Sequence, residues 1–157
     1  MPKMSDYPSG GTYPPYSTQL TKLLSDACKV LGFDQSWSTN KAVHALVEKE
    51  SGGRIGVPNY TMGNFLPAPY NIGNQLGQRP DLWASLWEKM KSGDPAYRGN
   101  GDSSGAPALG NPLAEAVGLL RTIKEAYGTP EILMYGGTKP DGSYWSGYNS
   151  SGDFSGY

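Results

Sequence analysis

The chain has 157 residues and a formal net charge of −1, so one domain around one core is expected. Gly (22), Pro (13) and Tyr (11) are abundant, while Ile, Leu, Val and Phe are scarce. With so little net charge this predicts a compact middle with poorly packed ends rather than a disordered chain. Near-neutral charge without a dense basic stripe excludes nucleic acid as the main partner, and no apolar run reaches the roughly 18 residues of a membrane span.

Residues 1–16 are rich in Pro, Gly, Tyr and Ser without periodicity and read as an extended N-terminal arm. The domain proper is expected over 17–135. Leu20, Leu23, Leu24, Ala27, Val30 and Leu31 recur at helical spacing, with Ser17 or Thr18 as the cap and Gly32 as the stop. A second helix is expected from Lys41 to Glu50, capped by Thr39 or Asn40, with Ala42, Val43, Leu46 and Val47 as its stripe and Ser51-Gly52-Gly53 ending it. Residues 52–79 are rich in Gly, Pro and Asn and suit short strands or a binding loop. A helix starting at Pro80 and ending at Gly93 presents Leu82, Trp83, Leu86, Trp87 and Met90, and a loop over 94–110 follows. Asn111 and Pro112 then open a long helix lined by Leu113, Ala116, Val117, Leu120, Ile123 and Tyr127 and closed by Gly128. Thr129-Pro130-Glu131 starts a short helix to about Tyr135. Residues 136–157 form a Gly/Ser/Tyr-rich C-terminal tail, either an ordered arm that packs on a partner or a flexible end.

The fold class is therefore mainly α, or α+β, with a small irregular or β-containing loop region and extended termini. Cys28 falls in a helical apolar pattern and reads as a buried, inert thiol. The lone histidine, His44, reads as a helix-surface or partly packed residue. No metal or other cofactor is implied, because metal sites need clusters of ligands. Met-Pro-Lys-Met-Ser-Asp at the start lacks the apolar region of a secretory signal, so action at the cell wall or periplasm requires another route of delivery.

One carboxyl group stands out. Glu50 lies seven residues after Val43, four after Leu46 and three after Val47, so it extends the apolar stripe. Glu48 points elsewhere, toward Lys41 or water. Partial burial disfavours the charge on Glu50, and so does the negative end of the helix dipole. Both raise its pKa, which suits an acid that donates a proton to a leaving oxygen. Gly52-Gly53 would keep bulk away from the carboxyl and let a sugar chain approach, and the Ser51 hydroxyl could orient the carboxyl or bind substrate.

The stretch from Ala42 to Gly53, ending Glu50-Ser51-Gly52-Gly53, resembles the catalytic helix end of lytic transglycosylases and goose-type lysozymes. The run from Asn111-Pro112 to Tyr127-Gly128-Thr129-Pro130 is similar to a later helix of that group. The resemblance implies a lysozyme-like fold, with Glu50 as catalytic acid/base and Ser51 in support. It also implies a cleft tyrosine at Tyr135, although Gly136 follows where the family usually has Asn. The family's Gly-Leu-Met-Gln run is missing. Tyr60-Thr61-Met62-Gly63-Asn64 is the nearest substitute by position, making Tyr60, Met62 and Asn64 the substrate-binding candidates.

The implied reaction cleaves the β-1,4 bond between N-acetylmuramic acid and N-acetylglucosamine in peptidoglycan and closes a 1,6-anhydro ring. It requires no second carboxylate. A hydrolytic version would require one to activate water, roughly 6.5–9.5 Å away for inversion, and Asp81, Asp94 and Asp102 are candidates of which none stands out. A wall-cleaving domain without a leader suits a bacteriophage virion or lysis protein, and the aromatic termini suit contacts with other virion proteins. Two other readings stand beside this one. The first is a non-catalytic structural virion or cell-wall-binding protein on the same fold. The second is an unrelated helical interaction domain.

Overall fold

The computed structural model describes residues 2–55 and 111–148. The helix expected over 80–93 lies outside the described residues. So do Tyr60, Met62, Asn64, Asp81, Asp94 and Asp102.

The described part is mainly helical with a small two-stranded sheet. Helix α1 spans Thr18–Leu31, and the Ser17 hydroxyl caps it by accepting from the Leu20 amide. Helix α2, Ser36–Thr39, is one turn that the sequence did not announce. Helix α3 spans Lys41–Glu50, and the Asn40 side chain accepts from the amides of Ala42 and Val43. Helix α4 is Pro112–Tyr127, with Asn111 as its cap. Helix α5 is Pro130–Tyr135, capped by Thr129. Each cap satisfies amides that the first helical turn leaves unpaired, typically worth about 1 kcal/mol.

The most extensive packing joins α1 and α4. Leu20, Leu23, Leu24 and Ala27 of α1 and Leu113, Val117, Leu120 and Ile123 of α4 are fully buried. Val43, Leu46 and Val47 of α3 belong to the same core. Full burial of one such side chain stabilises by about 1.5–3 kcal/mol, so these stripes drive the fold. Cys28 sits among them, and burial raises its thiol to a pKa of about 11, which keeps it protonated and unreactive.

The described parts of both ends, residues 2–16 and 136–148, are tied to the helices, while residues 149–157 lie outside the described residues. The arm carries a 3₁₀ turn, Met4–Asp6, whose Met4 is buried. The Asn111 amide donates to the Met4 carbonyl at 3.0 Å, and the Tyr7 hydroxyl donates to Asp26 at 2.6 Å. Further along, Tyr13 N donates to Gly53 O at 2.8 Å and Ile55 N to Gly11 O at 3.0 Å, with Thr12 bridged to Arg54. At the other end, residues 136–148 fold back onto the chain itself. Strands β1, Gly137–Thr138, and β2, Tyr144–Trp145, pair antiparallel with Gly137 opposite Trp145. The described sheet therefore lies in the segment read as tail. Among the described residues no helix is long and apolar enough to cross a membrane.

Asn111 both caps α4 and anchors the arm. Asn111→Ala is expected to cost about 2 kcal/mol, the sum of a lost cap and a lost buried bond. Urea denaturation measures it, and a loss under about 0.5 kcal/mol would show that neither bond matters.

Candidate functional site

Glu50 is the last residue of α3, and the helix phase turns it toward the core side, as the stripe predicted. Its carboxyl is partly buried, and Oε1 accepts a hydrogen bond of 2.5 Å from the hydroxyl of Tyr148. Burial raises the Glu50 pKa above its ordinary 4.5, and the Tyr148 bond partly offsets this by stabilising the carboxylate. The net direction is up. No cation among the described residues pairs with the group. For Tyr148 burial also comes first, then the bond to Glu50, and both push its pKa upward. The proton between the two oxygens therefore stays on the tyrosine, and Glu50 is the group that titrates.

Tyr148 is 2% exposed. It arrives by backbone pairing: its amide donates to Leu133 O at 2.7 Å, and the same carbonyl accepts from the Trp145 indole at 2.8 Å. Gly147 makes the approach possible, because a Cβ there would lie 2.7 Å from the carbonyl carbon of Tyr135. The sequence reading missed Tyr148 as a site residue. Its partner is 98 residues away, and only the glycine before an aromatic in a segment without helical period hinted at close packing.

Ser51 follows Glu50 and is buried. Its hydroxyl bonds to Val47 O at 3.3 Å and accepts from the Gly53 amide at 3.1 Å, so it shapes the turn. The expected open space beside Gly53 is not there. The residue has φ +83°, and a Cβ on it would stand 2.0 Å from the Tyr13 carbonyl. The arm's backbone occupies that side, and glycine serves to admit the arm. Tyr135, the expected cleft tyrosine, is 65% exposed at the end of α5, and its backbone borders Gly147, one residue before Tyr148.

His44 differs from the surface reading. It is buried, with Nδ1 accepting from the Tyr16 amide at 2.9 Å and Nε2 bonded to Ser38 O at 2.8 Å. Since only an acceptor fits at Nδ1, the proton sits on Nε2. The imidazole joins the arm to α2 and α3.

A second polar cluster lies on α1. Burial works against the charge of Asp26, but Tyr7, Lys22 and Lys29 overcome it and hold the carboxyl below its ordinary value. A cavity of about 980 Å³ opens beside it, lined in part by Tyr7, Tyr13, Thr18, Lys22 and Lys29. Glu50 does not line it. Asp26 is fully engaged by its partners, whereas Glu50 has a raised pKa and one neutral donor, so Glu50 is the better candidate for proton transfer.

No protein-family model matches the chain, and no curated protein or solved structure does either.

The raised pKa of Glu50 has a stability consequence. The folded chain holds the proton more tightly than the unfolded one, so the stability it contributes is complete below pH 4.5 and is lost as pH rises through the folded value. Glu50→Gln removes the charge while keeping an acceptor for Tyr148. The variant is expected to be more stable than wild type at pH 7, with the advantage shrinking at pH 4. Denaturation at both pH values checks this, and an equal or opposite difference would contradict it.

Proposed function

We propose that this chain is a peptidoglycan-cleaving lytic transglycosylase of the muramidase type, on a lysozyme-like fold, with Glu50 as general acid and base. The observation that carries the reading is a partly buried glutamate, at the end of an amphipathic helix, with a raised pKa and a single neutral donor. Such a group keeps its proton at higher pH than an exposed carboxyl and can transfer it. Glu50 gives its proton to the glycosidic oxygen as the bond to the muramic acid C1 breaks. The resulting carboxylate is steadied by the Tyr148 hydroxyl. It then removes the proton from the sugar's own 6-hydroxyl, whose oxygen attacks C1 and closes the 1,6-anhydro ring. Glu50 ends protonated, and no water is consumed.

Action on the wall from inside a bacteriophage virion, or during host lysis, belongs to the same proposal. It rests on the resemblance around Glu50 and Asn111. A second reading, a non-catalytic wall-binding or structural virion protein on the same fold, is favoured by one observation. Tyr148 and Glu50 close a bond between distant parts of the chain, and such a bond can serve as a clasp alone.

Digestion of purified peptidoglycan separates the two. The enzyme releases fragments with anhydro ends, identified by mass, and Glu50→Gln slows release by about 10²–10⁴-fold, the usual weight of a general acid. Equal behaviour of wild type and variant would overturn the enzyme and leave the clasp. Tyr148→Phe removes the donor that stabilises the carboxylate, so the Glu50 pKa rises further. The alkaline limb of the rate profile is then expected at higher pH than in wild type, and a limb moved downward would contradict Tyr148's assigned role.

A further inference from the structure

Tyr16 is the only residue other than glycine with positive φ among the described residues, at +63°. A bulky side chain in that region is strained and persists only where its surroundings hold it. Here they do. The Tyr16 amide donates to His44 Nδ1, and the ring stacks on the imidazole with centroids 5.5 Å apart and planes 21° from parallel. One face of the ring is thus backed by a buried, hydrogen-bonded histidine. The side chain as a whole is still 58% exposed. The chain has accepted backbone strain to display an aromatic ring.

The surroundings of the ring indicate what it would meet. Burial first, and then the neighbouring Glu48 carboxyl and Tyr135, push the pKa of its hydroxyl up. Glu48 is two residues before Glu50, and Tyr135 borders the segment that delivers Tyr148. The arm that carries Tyr16 also pairs with the turn just after Glu50. His44 and Glu48 share one face of α3 and Glu50 extends another, so Tyr16 stands beside the middle of the helix, at His44, six residues before Glu50.

We propose that Tyr16 is a stacking platform for a neutral pyranose ring of the glycan substrate, with Glu48 accepting from that sugar's hydroxyl groups. This rests on the glycan-cleaving reading of Glu50. A sugar fits the chemistry better than an apolar partner. The apolar C–H face of a pyranose covers an aromatic ring, and its hydroxyls supply donors to a carboxylate that can only accept. An apolar partner would bury the Glu48 charge without a donor, which is costly. The same charge repels the carboxylates of a stem peptide, so the position suits N-acetylglucosamine better than peptide-bearing muramic acid.

The probe is the β-1,4-linked tetramer of N-acetylglucosamine, titrated calorimetrically into full-length Glu50→Gln chain, which binds without cleaving. Adding Tyr16→Ala is expected to weaken binding by about tenfold, the order of one aromatic contact. Adding Tyr16→Phe, which keeps the ring, changes binding less than about threefold by the same measure. Thermal melting shows whether each variant is folded. A direct readout without substitution at position 16 is the ring-proton resonances of Tyr16, which shift saturably as tetramer is added. Unchanged affinity in a folded Tyr16→Ala chain overturns the platform, as does a failure of the tetramer to bind or to move those resonances. Cleavage by wild type with unchanged Tyr16→Ala affinity overturns the platform alone. Ring-dependent binding without any cleavage by wild type supports the platform and overturns the enzyme.

Discussion

A carboxyl group taken partly out of water with one neutral donor, and no cation among the described residues to pair with it, is the constraint around which the described structure is organised. Desolvation penalises the charged form of Glu50, and without an opposite charge nearby the penalty is not cancelled. Asp26 shows the contrast within the same chain. It too is buried, yet two lysines and a tyrosine hold it ionised. Burial raises both carboxyls; the neighbours of Asp26 outweigh it, and the single neighbour of Glu50 does not.

Both ends of the described chain contribute to that setting. The arm lies against the turn after Glu50 through Gly11, Tyr13 and Gly53 and is held to α3 by His44. The segment after α5 brings Tyr148 to the carboxyl itself. Among the described residues, α1 and α4 contribute most members of the buried core to which these segments attach. The strain at Tyr16 and the desolvation of Glu50 are costs that this core can absorb. Such costs collect where a fold serves a ligand rather than its own stability.

Local physics made the helices legible in the sequence. Ser17, Asn40, Asn111 and Thr129 sit directly before apolar stripes, and their side chains accept from the first-turn amides. The phase of Glu50 followed from the same periodicity. What stayed hidden depends on contacts far apart in sequence. Asn111 reaches Met4 across 107 residues and Tyr148 reaches Glu50 across 98, and neither leaves a periodic trace. The Gly/Tyr-rich composition of both ends resembles that of unpacked segments, yet Gly136 and Gly147 sit against backbone that a Cβ would strike, and Tyr7 carries its hydroxyl to the buried Asp26. The burial of His44 is hidden for the same reason, because its partners are the Tyr16 amide of the arm and the Ser38 carbonyl.

The most direct test of the carboxyl's state is its own titration. The ¹³C resonance of the Glu50 carboxyl, followed across pH in the full-length wild-type chain, is expected to have its midpoint above 4.5. A midpoint at or below that value would mean that the side chain meets water or an unrecognised cation, and would contradict a proton-holding Glu50.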